Sequence, residues 1–367
     1  MNFDFSEEQQ LIRDQARGLL GRECTPAAVR AVLENGDVHF DHALWDRIVE
    51  LGWTAMTVPQ DCGGLGLGYL ELCVIAEELG RALAPVPFSS SVYLATEAIV
   101  RWGSEAQRQA WLPRLAAGEL IGTLAHVEAP GRPAVNLQVA DGTLSGSKLP
   151  VPDGAIADIA VITARDPQGA LRLYVVELDQ AGVTRETLES LDPSRPQARL
   201  SFEGAAVQPL GDNGAGDAEL SELLDRAAVL LAFEQIGGGQ AAMDAGLAYT
   251  KERYAFGRPV ASFQAIKHKF ADMFAALELA RANAYYGAWA LSCDAPDLPL
   301  AAATARVSAT DAFYLISKEN LQAHGGMGFT WEFDCHLYYR RAQLLSSLVG
   351  TLPQWKEHVA SRLLDVA

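Results

Sequence analysis

Two short segments of this chain combine arginine, glutamine, glycine and aromatic residues in a way that packing alone explains poorly. The first runs Tyr249-Thr250-Lys251-Glu252-Arg253-Tyr254-Ala255-Phe256-Gly257-Arg258-Pro259-Val260 and continues to Ser262-Phe263-Gln264. Helix-period residues lead to Arg253, a Phe-Gly-Arg-Pro break follows, and a new helix is expected near Ser262, whose hydroxyl suits an N-cap. Such a loop exposes backbone N–H groups beside a guanidinium, a donor set suited to a pyrophosphate. The same residues also suit a plain helix-to-helix turn with a surface arginine. The second segment is Gln322-Ala323-His324-Gly325-Gly326-Met327-Gly328-Phe329-Thr330-Trp331-Glu332. Three glycines that interrupt a helical pattern allow another molecule close approach to the backbone, and Gln322 can donate to it and accept from it. A glycine C-cap followed by a wide turn is the alternative. Histidine is a side chain that can titrate near neutrality, but single histidines such as His324 and His126 beside such loops are more often structural or solvent-facing.

The elements that must position these segments are read from periodicity. Ser6-Glu7-Glu8-Gln9 has capping-box spacing, and Leu11, Ile12, Ala16, Leu19 and Leu20 follow at helical intervals. Helices are expected over Asp41–Leu51, Tyr69–Ala82, Ser90–Trp102 and Glu105–Ala117, so residues 1–118 form an N-terminal helical domain. Short apolar runs then take over, at Leu137–Ala140, Ile159–Ala164, Leu171–Leu178 and Ala198–Phe202, separated by turn signals. They predict a small antiparallel β barrel over 119–212. After the glycine-rich stretch Gly211–Gly216, helical periodicity persists to the end, which predicts a four-helix-type bundle over 213–367. The expected fold class is mainly α with a small β domain. Gly237-Gly238-Gly239 lies inside a helical pattern and reads as a close-packing surface, so no Rossmann or Walker cradle is indicated.

Composition narrows the function classes. The 367 residues carry a net charge of -17, which disfavours a nucleic-acid partner, since phosphate binding by general electrostatics needs clustered Lys and Arg. A single bound pyrophosphate is not excluded by that charge. The acidic N-terminal stretch lacks the basic and apolar parts of a signal peptide, and no apolar run reaches membrane-spanning length. A cytoplasmic protein is expected, with no membrane partner. Five widely spaced cysteines (Cys24, Cys62, Cys73, Cys293, Cys335) form no C-x-x-C, so neither a disulfide framework nor a metal site is expected.

Taken together and in this order, the segments resemble the acyl-CoA dehydrogenase family. The resemblance covers nearly the whole chain: Phe5 to Gln9, Trp45 … Leu51-Gly52-Trp53 … Val58-Pro59 … Gly63-Gly64-Leu65-Gly66, Glu77-Glu78-Leu79-Gly80, Arg253-x-x-Phe256-Gly257 … Gln264 and Gln322-x-x-Gly325-Gly326-x-Gly328. It implies FAD as cofactor, an acyl-CoA substrate, electron-transfer flavoprotein as electron acceptor, and a tetramer built as a dimer of dimers with homologous subunits. By the same resemblance Arg253 pairs with the FAD pyrophosphate, Phe256 and Phe263 pack on the cofactor, Gln264 hydrogen-bonds it, and Gln322, Gly325 and Gly326 face its adenosine end, on the FAD of a neighbouring subunit. Family chemistry removes an α-proton with a carboxylate and passes a β-hydride to the flavin, giving a 2-enoyl-CoA.

The chain departs from the family where the carboxylate belongs. The expected aromatic-Glu-Gly-Thr turn reads Leu348-Val349-Gly350-Thr351, and the alternative position, counted back from Arg253, is Ala227. Glu234, two turns further along that helix, is the remaining candidate, displaced by about 10 Å. The catalytic residue is therefore left unassigned. The family's Thr-Glu-Pro-x-x-Gly-Ser-Asp stretch is replaced by His126-Val127-Glu128-Ala129-Pro130-Gly131-Arg132-Pro133, and its Trp-Ile-Thr by Lys148-Leu149-Pro150. Three readings follow: the base-less subunit of a heteromeric acyl-CoA dehydrogenase, often one acting on bulky steroid or branched thioesters; a self-sufficient enzyme with an unusual base; or an offshoot resembling flavin monooxygenases and nitroalkane oxidases.

Overall fold

A computed structural model describes residues 5–36, 38–130, 135–212 and 214–366. In chain order the helices are α1 (Glu7–Glu23), α2 (Pro26–Glu34), α3 (His42–Glu50), α4 (Tyr69–Arg81), α5 (Glu97–Trp102), α6 (Glu105–Ala116), α7 (Asp217–Glu252), α8 (Gln264–Ser292), α9 (Leu298–Ala323), α10 (Cys335–Leu345) and α11 (Leu352–Val366). The strands are β1 (Gly122–Ala125), β2 (Val139–Ala140), β3 (Thr143–Pro152), β4 (Ile159–Arg165), β5 (Leu171–Glu177), β6 (Val183–Leu188), β7 (Gln197–Ala206) and β8 (Gln208–Pro209), with β9 (Tyr254–Ala255) and β10 (Arg258–Pro259) between the long helices. The mainly helical class with a small β region is thus what the sequence predicts. The chain forms two compact units, one of residues 1–29, 69–84 and 228–367 and one of residues 30–68 and 85–227, and α7 runs from the second into the first.

In the unit that holds the long C-terminal helices, the start of α1 is fixed by its predicted capping box: the Ser6 hydroxyl accepts from Gln9 N–H, and the Gln9 side chain accepts from Ser6 N–H. The triple glycine of α7 does allow close packing. A Cβ on Gly237 would lie 1.9 Å from the Glu77 carbonyl oxygen, and one on Gly238 would lie 2.6 Å from the Phe313 ring. Neither position tolerates a side chain without moving α4 or α9. Ion pairs tie the same helices, since Glu77 accepts from Arg13 at 3.1 Å and from Arg281 at 2.6 Å. Arg341, 2 % exposed, donates to the Leu83 and Ala84 carbonyls at 3.0 and 3.3 Å and so satisfies the turn that follows α4.

In the other unit the strands form two four-stranded sheets, ordered β1-β4-β5-β8 and β2-β3-β7-β6, and neither sheet closes on itself. The predicted barrel is therefore an open pair of sheets. Among the described strands the pairings are antiparallel except that of β1 with β4, which run parallel. β7 alternates buried residues with half-buried or exposed ones over its first six positions, as a sheet with one covered face requires, while β4 is buried along nearly its whole length. β6, with four exposed residues including Arg185 and Glu186, is a charged edge. The stretch expected as a helix from Ser90 is a π-helical turn, Ser89–Thr96, that leads into α5.

Candidate functional site

The first segment is a two-residue hairpin thrown out at the end of α7. Arg253 N–H donates to the Tyr249 carbonyl at 2.9 Å, and Val260 N–H donates to the Arg253 carbonyl at 2.7 Å, which closes the loop. Tyr254-Ala255 pairs with Arg258-Pro259, and the central Phe256 and Gly257 both have positive φ, 53° and 79°. Two left-handed residues in a two-residue loop match the twist of the flanking strands. For a phenylalanine this backbone costs about 1–2 kcal/mol. The ring gains nothing from burial in return, since Phe256 is 96 % exposed and meets only the edge of Phe263 at a centroid distance of 6.3 Å. The Arg258 guanidinium lies 4.0 Å from the half-buried Phe263 ring, and Arg253 and Gln264 are exposed. One expectation is corrected: Ser262 does not cap α8. Its hydroxyl donates to the Pro259 carbonyl at 2.7 Å, Phe263 occupies the N-cap, and the helix begins at Gln264.

The second segment closes α9. Gln322 is exposed in its last turn, and a five-residue 3-10 turn, Gly325–Phe329, follows. Gly325 needs its glycine for a φ of +60°. Gly326 has no such reason, and a Cβ there would meet nothing within 4 Å. Its backbone is open to an outside molecule. Gly328 answers to internal packing instead, since a Cβ would lie 2.3 Å from the Leu321 carbonyl oxygen. His324 is buried and structural: its Nδ1 donates to the Asn320 carbonyl at 2.8 Å. Its ring stacks on Tyr249 with centroids 4.1 Å apart, and Phe333 meets both rings edge-on. That stack brings the two segments to one end of the bundle, because Tyr249 stands one helical turn before Arg253. Arg258, the Tyr249–His324 stack and the exposed Phe329 and Trp331 beside them were not singled out from sequence. The Phe-Gly pair flanked by short extended residues was the available signal for the hairpin. The resemblance places FAD at these residues, and the donor set suits a diphosphate dinucleotide approaching from outside: a guanidinium, two exposed amides, an aromatic ring and glycine backbone not covered by side chains.

At the positions that would hold the base, the structure has apolar side chains. Val349 is 2 % exposed in the turn before α11, and Ala227 is fully buried on α7. Glu234 is also buried, in the electrostatic neighbourhood of Arg306. Arg306 is 0 % exposed; it donates to Gln235 Oε1 at 2.8 Å and to the Leu345 carbonyl. Burial pulls the Arg306 guanidinium down to about 10, and the Glu234 charge opposes that fall. These groups form a buried polar tie between α7, α9 and the end of α10.

The middle stretch forms its own polar network. The Glu128 carboxylate accepts from the N–H groups of Asn136 and Leu137 at 2.8–2.9 Å and from Lys148 Nζ at 3.1 Å. Lys148, 0 % exposed, also donates to the Thr163 hydroxyl, which in turn donates to the His126 carbonyl. Burial drops the Lys148 ammonium to about 8 against the pull of Glu128, and burial beside Lys148 drops the His126 imidazole to about 4. Burial would raise Glu128, but the Leu137 and Asn136 N–H groups and Lys148 hold it below the usual carboxylate value. Gly131, Arg132 and Pro133 lie outside the described residues. No helix among the described residues is long and apolar enough to cross a membrane.

Comparison with known proteins agrees over nearly the full length. The family "Acyl-CoA dehydrogenase, N-terminal domain" matches residues 6–119, and "Acyl-CoA dehydrogenase, C-terminal domain" matches residues 214–364. The acyl-CoA dehydrogenase IpdE2 of Mycobacterium tuberculosis is 34 % identical over 346 residues, covering 93 % of this chain and 94 % of that protein. Among solved structures, a variant of the Tcur3481-Tcur3483 steroid ACAD superposes with a TM-score of 0.88 at 28 % identity, over 98 % of each chain. The ChsE4-ChsE5 complex of Mycobacterium tuberculosis contains a chain with a TM-score of 0.91 at 25 % identity, over 99 % of each.

Proposed function

This chain belongs to the acyl-CoA dehydrogenase family of FAD-dependent oxidoreductases, and from that premise we propose that it is the carboxylate-lacking subunit of a heteromeric acyl-CoA dehydrogenase. The observation that carries this reading is Val349, an apolar, buried residue in the turn where the family's proton acceptor stands by resemblance. Valine cannot take the α-proton of a thioester, and Ala227 cannot either. The buried ties of Glu234 to the Arg306 region suit a structural carboxylate better than a free base.

In this reading the chain serves a partner's site. Arg253 offsets pyrophosphate charge, Phe256 and Phe263 cover an aromatic face, Gln264 and Gln322 supply amide hydrogen bonds, and Gly325 and Gly326 let backbone approach the adenosine end. FAD, when bound, supplies the hydride acceptor. The strained, exposed Phe256 supports the role: its chain gains nothing from the ring, so a surface outside the chain must. The substrate is an acyl-CoA thioester, with steroid or other bulky acyl groups favoured by the "steroid ACAD" among the similar structures. Electron-transfer flavoprotein is the acceptor, and the assembly is an α₂β₂ tetramer of the paired kind that the name ChsE4-ChsE5 complex denotes.

The test is to purify the chain alone and together with a carboxylate-bearing relative, count FAD per subunit, and follow anaerobic reduction by a panel of acyl-CoA esters. The chain alone should hold little flavin and give no reduction, and the mixed assembly should hold fewer flavins than subunits. Fast, complete bleaching by the chain alone at one FAD per subunit would overturn the reading.

A further inference from the structure

The hairpin end of the long-helix unit is also where positive charge collects. From Lys251 to His268 the chain carries four cations, Lys251, Arg253, Arg258 and Lys267, and one carboxylate, Glu252. All five side chains are exposed, and none of the four cations makes an ion pair among the described residues. Other cations at the surface of this unit are matched, as Arg17 is by Glu78 at 2.6 Å and Lys356 by Asp311 at 3.1 Å. Lys269, two residues beyond Lys267, is taken up by Glu319. A local excess of unmatched cations stands out in a chain whose net charge is -17.

The four are spread over three elements. Lys251 is in the last turn of α7, Arg253 and Arg258 belong to the hairpin, and Lys267 is in the first turn of α8. They face a surface broader than one pyrophosphate. Lys251 suits its own helix, since the C-terminal end of α7 favours a cation. Lys267 does not: it stands at the positive end of α8, whose first turn has no acidic residue to offset it. The fold of the chain gives no reason for that charge. A homologous partner of similar acidity is repelled by most of this chain's surface and attracted at this end.

We propose that Lys251, Arg258 and Lys267 form an electrostatic docking surface for carboxylates of the homologous partner subunit, beside the flavin contact of Arg253. The inference rests on the partner-subunit reading and adds what brings the two chains together in register. Charges of this kind act before contact, so they set the association rate and its salt dependence, and leave dissociation to the groups packed at close range.

The test is stopped-flow association of the purified chain with a carboxylate-bearing, FAD-loaded relative at about 20 mM and about 500 mM NaCl, conditions of weak and strong screening. Association should slow at least about tenfold at the higher salt. Lys251→Glu/Lys267→Glu should slow it at least about tenfold at the lower salt, with dissociation within about threefold and FAD per complex unchanged. Arg22→Glu/Arg185→Glu changes the net charge equally at exposed cations elsewhere and should leave the rate within about threefold. A complex that forms at a rate indifferent to salt, an equal slowing by the Arg22/Arg185 pair, or lysine variants that lose flavin without slowing would each overturn this inference alone. No complex at either salt would overturn the partner-subunit reading and this inference with it.

Discussion

Replacing Phe256 by asparagine separates what the hairpin does for its own chain from what it does for another. Asparagine tolerates the left-handed region that Phe256 occupies at φ 53°, so relief of about 1–2 kcal/mol of backbone strain is expected. Against this stands the edge contact with Phe263, worth at most about 0.5–1.5 kcal/mol in a buried pair and less at 96 % exposure. The isolated chain should therefore be as stable as the parent or more stable by up to about 1 kcal/mol. In urea, with a slope of about 3 kcal/mol/M, that moves the midpoint upward by a few tenths molar. The mixed assembly should respond in the opposite sense, because burying a phenylalanine against a ligand contributes about 1.5–3 kcal/mol. Flavin retention should fall about tenfold to a hundredfold, read as released FAD fluorescence on dilution. Loss of about 1 kcal/mol or more from the isolated chain would refute the reasoning, since Phe256 would then be held by its own fold. Unchanged flavin retention would refute the outward role.

Arg253→Ala should weaken FAD retention in the assembly by about 1.5–3 kcal/mol, the worth of a charge-assisted hydrogen bond, with little change in the thermal stability of the isolated chain, where Arg253 is exposed. Arg306→Ala should destabilise the chain by about 3–5 kcal/mol in chemical denaturation, because it leaves Glu234 buried beside a lost cation; a change under 1 kcal/mol would show that the two do not depend on each other. Stability should fall as pH drops from about 6.5 toward 4. His126 takes up its proton near 4 when folded but near 6.5 when unfolded, so the unfolded chain binds more protons in that window. Glu128, held below its ordinary value, adds to the loss below about 4.5. A flat denaturation midpoint between pH 6.5 and 4 would show that His126 is solvated like a free imidazole.

What the sequence made legible follows from how local each signal is. The Ser6–Gln9 box and the run of α4 are written in neighbouring residues, and the structure forms them as read. α2 was missed although Thr25-Pro26 announces it: Pro26 opens the helix and the Thr25 hydroxyl accepts from Ala28 N–H. Closure of the strands into a barrel could not be read, because it depends on which distant edges meet; the parallel β1–β4 pairing joins segments 37 residues apart, Gly122 with Ile159. The Lys148–Glu128 pair spans 20 residues and left no local mark either. At the candidate site, residue types and spacing named Arg253, Gln264, Gln322 and the glycines. They did not reveal that the Tyr249–His324 stack joins the two segments, since that contact spans 75 residues.

The way the first compact unit is assembled from three stretches of chain bears on how the protein is born. Residues 30–68 and 85–227, which make the second unit, leave the ribosome before most of the first unit exists. α1 precedes these residues, yet its Arg13 meets Tyr285, 272 positions later. At about 5–20 residues per second, the α8 side of that contact follows on the order of tens of seconds later, whereas α4, which pairs with Arg13 and Arg17 through Glu77 and Glu78, follows within several seconds. The interval leaves the α1–α4 pair without its α8 contacts and is a natural window for chaperone capture.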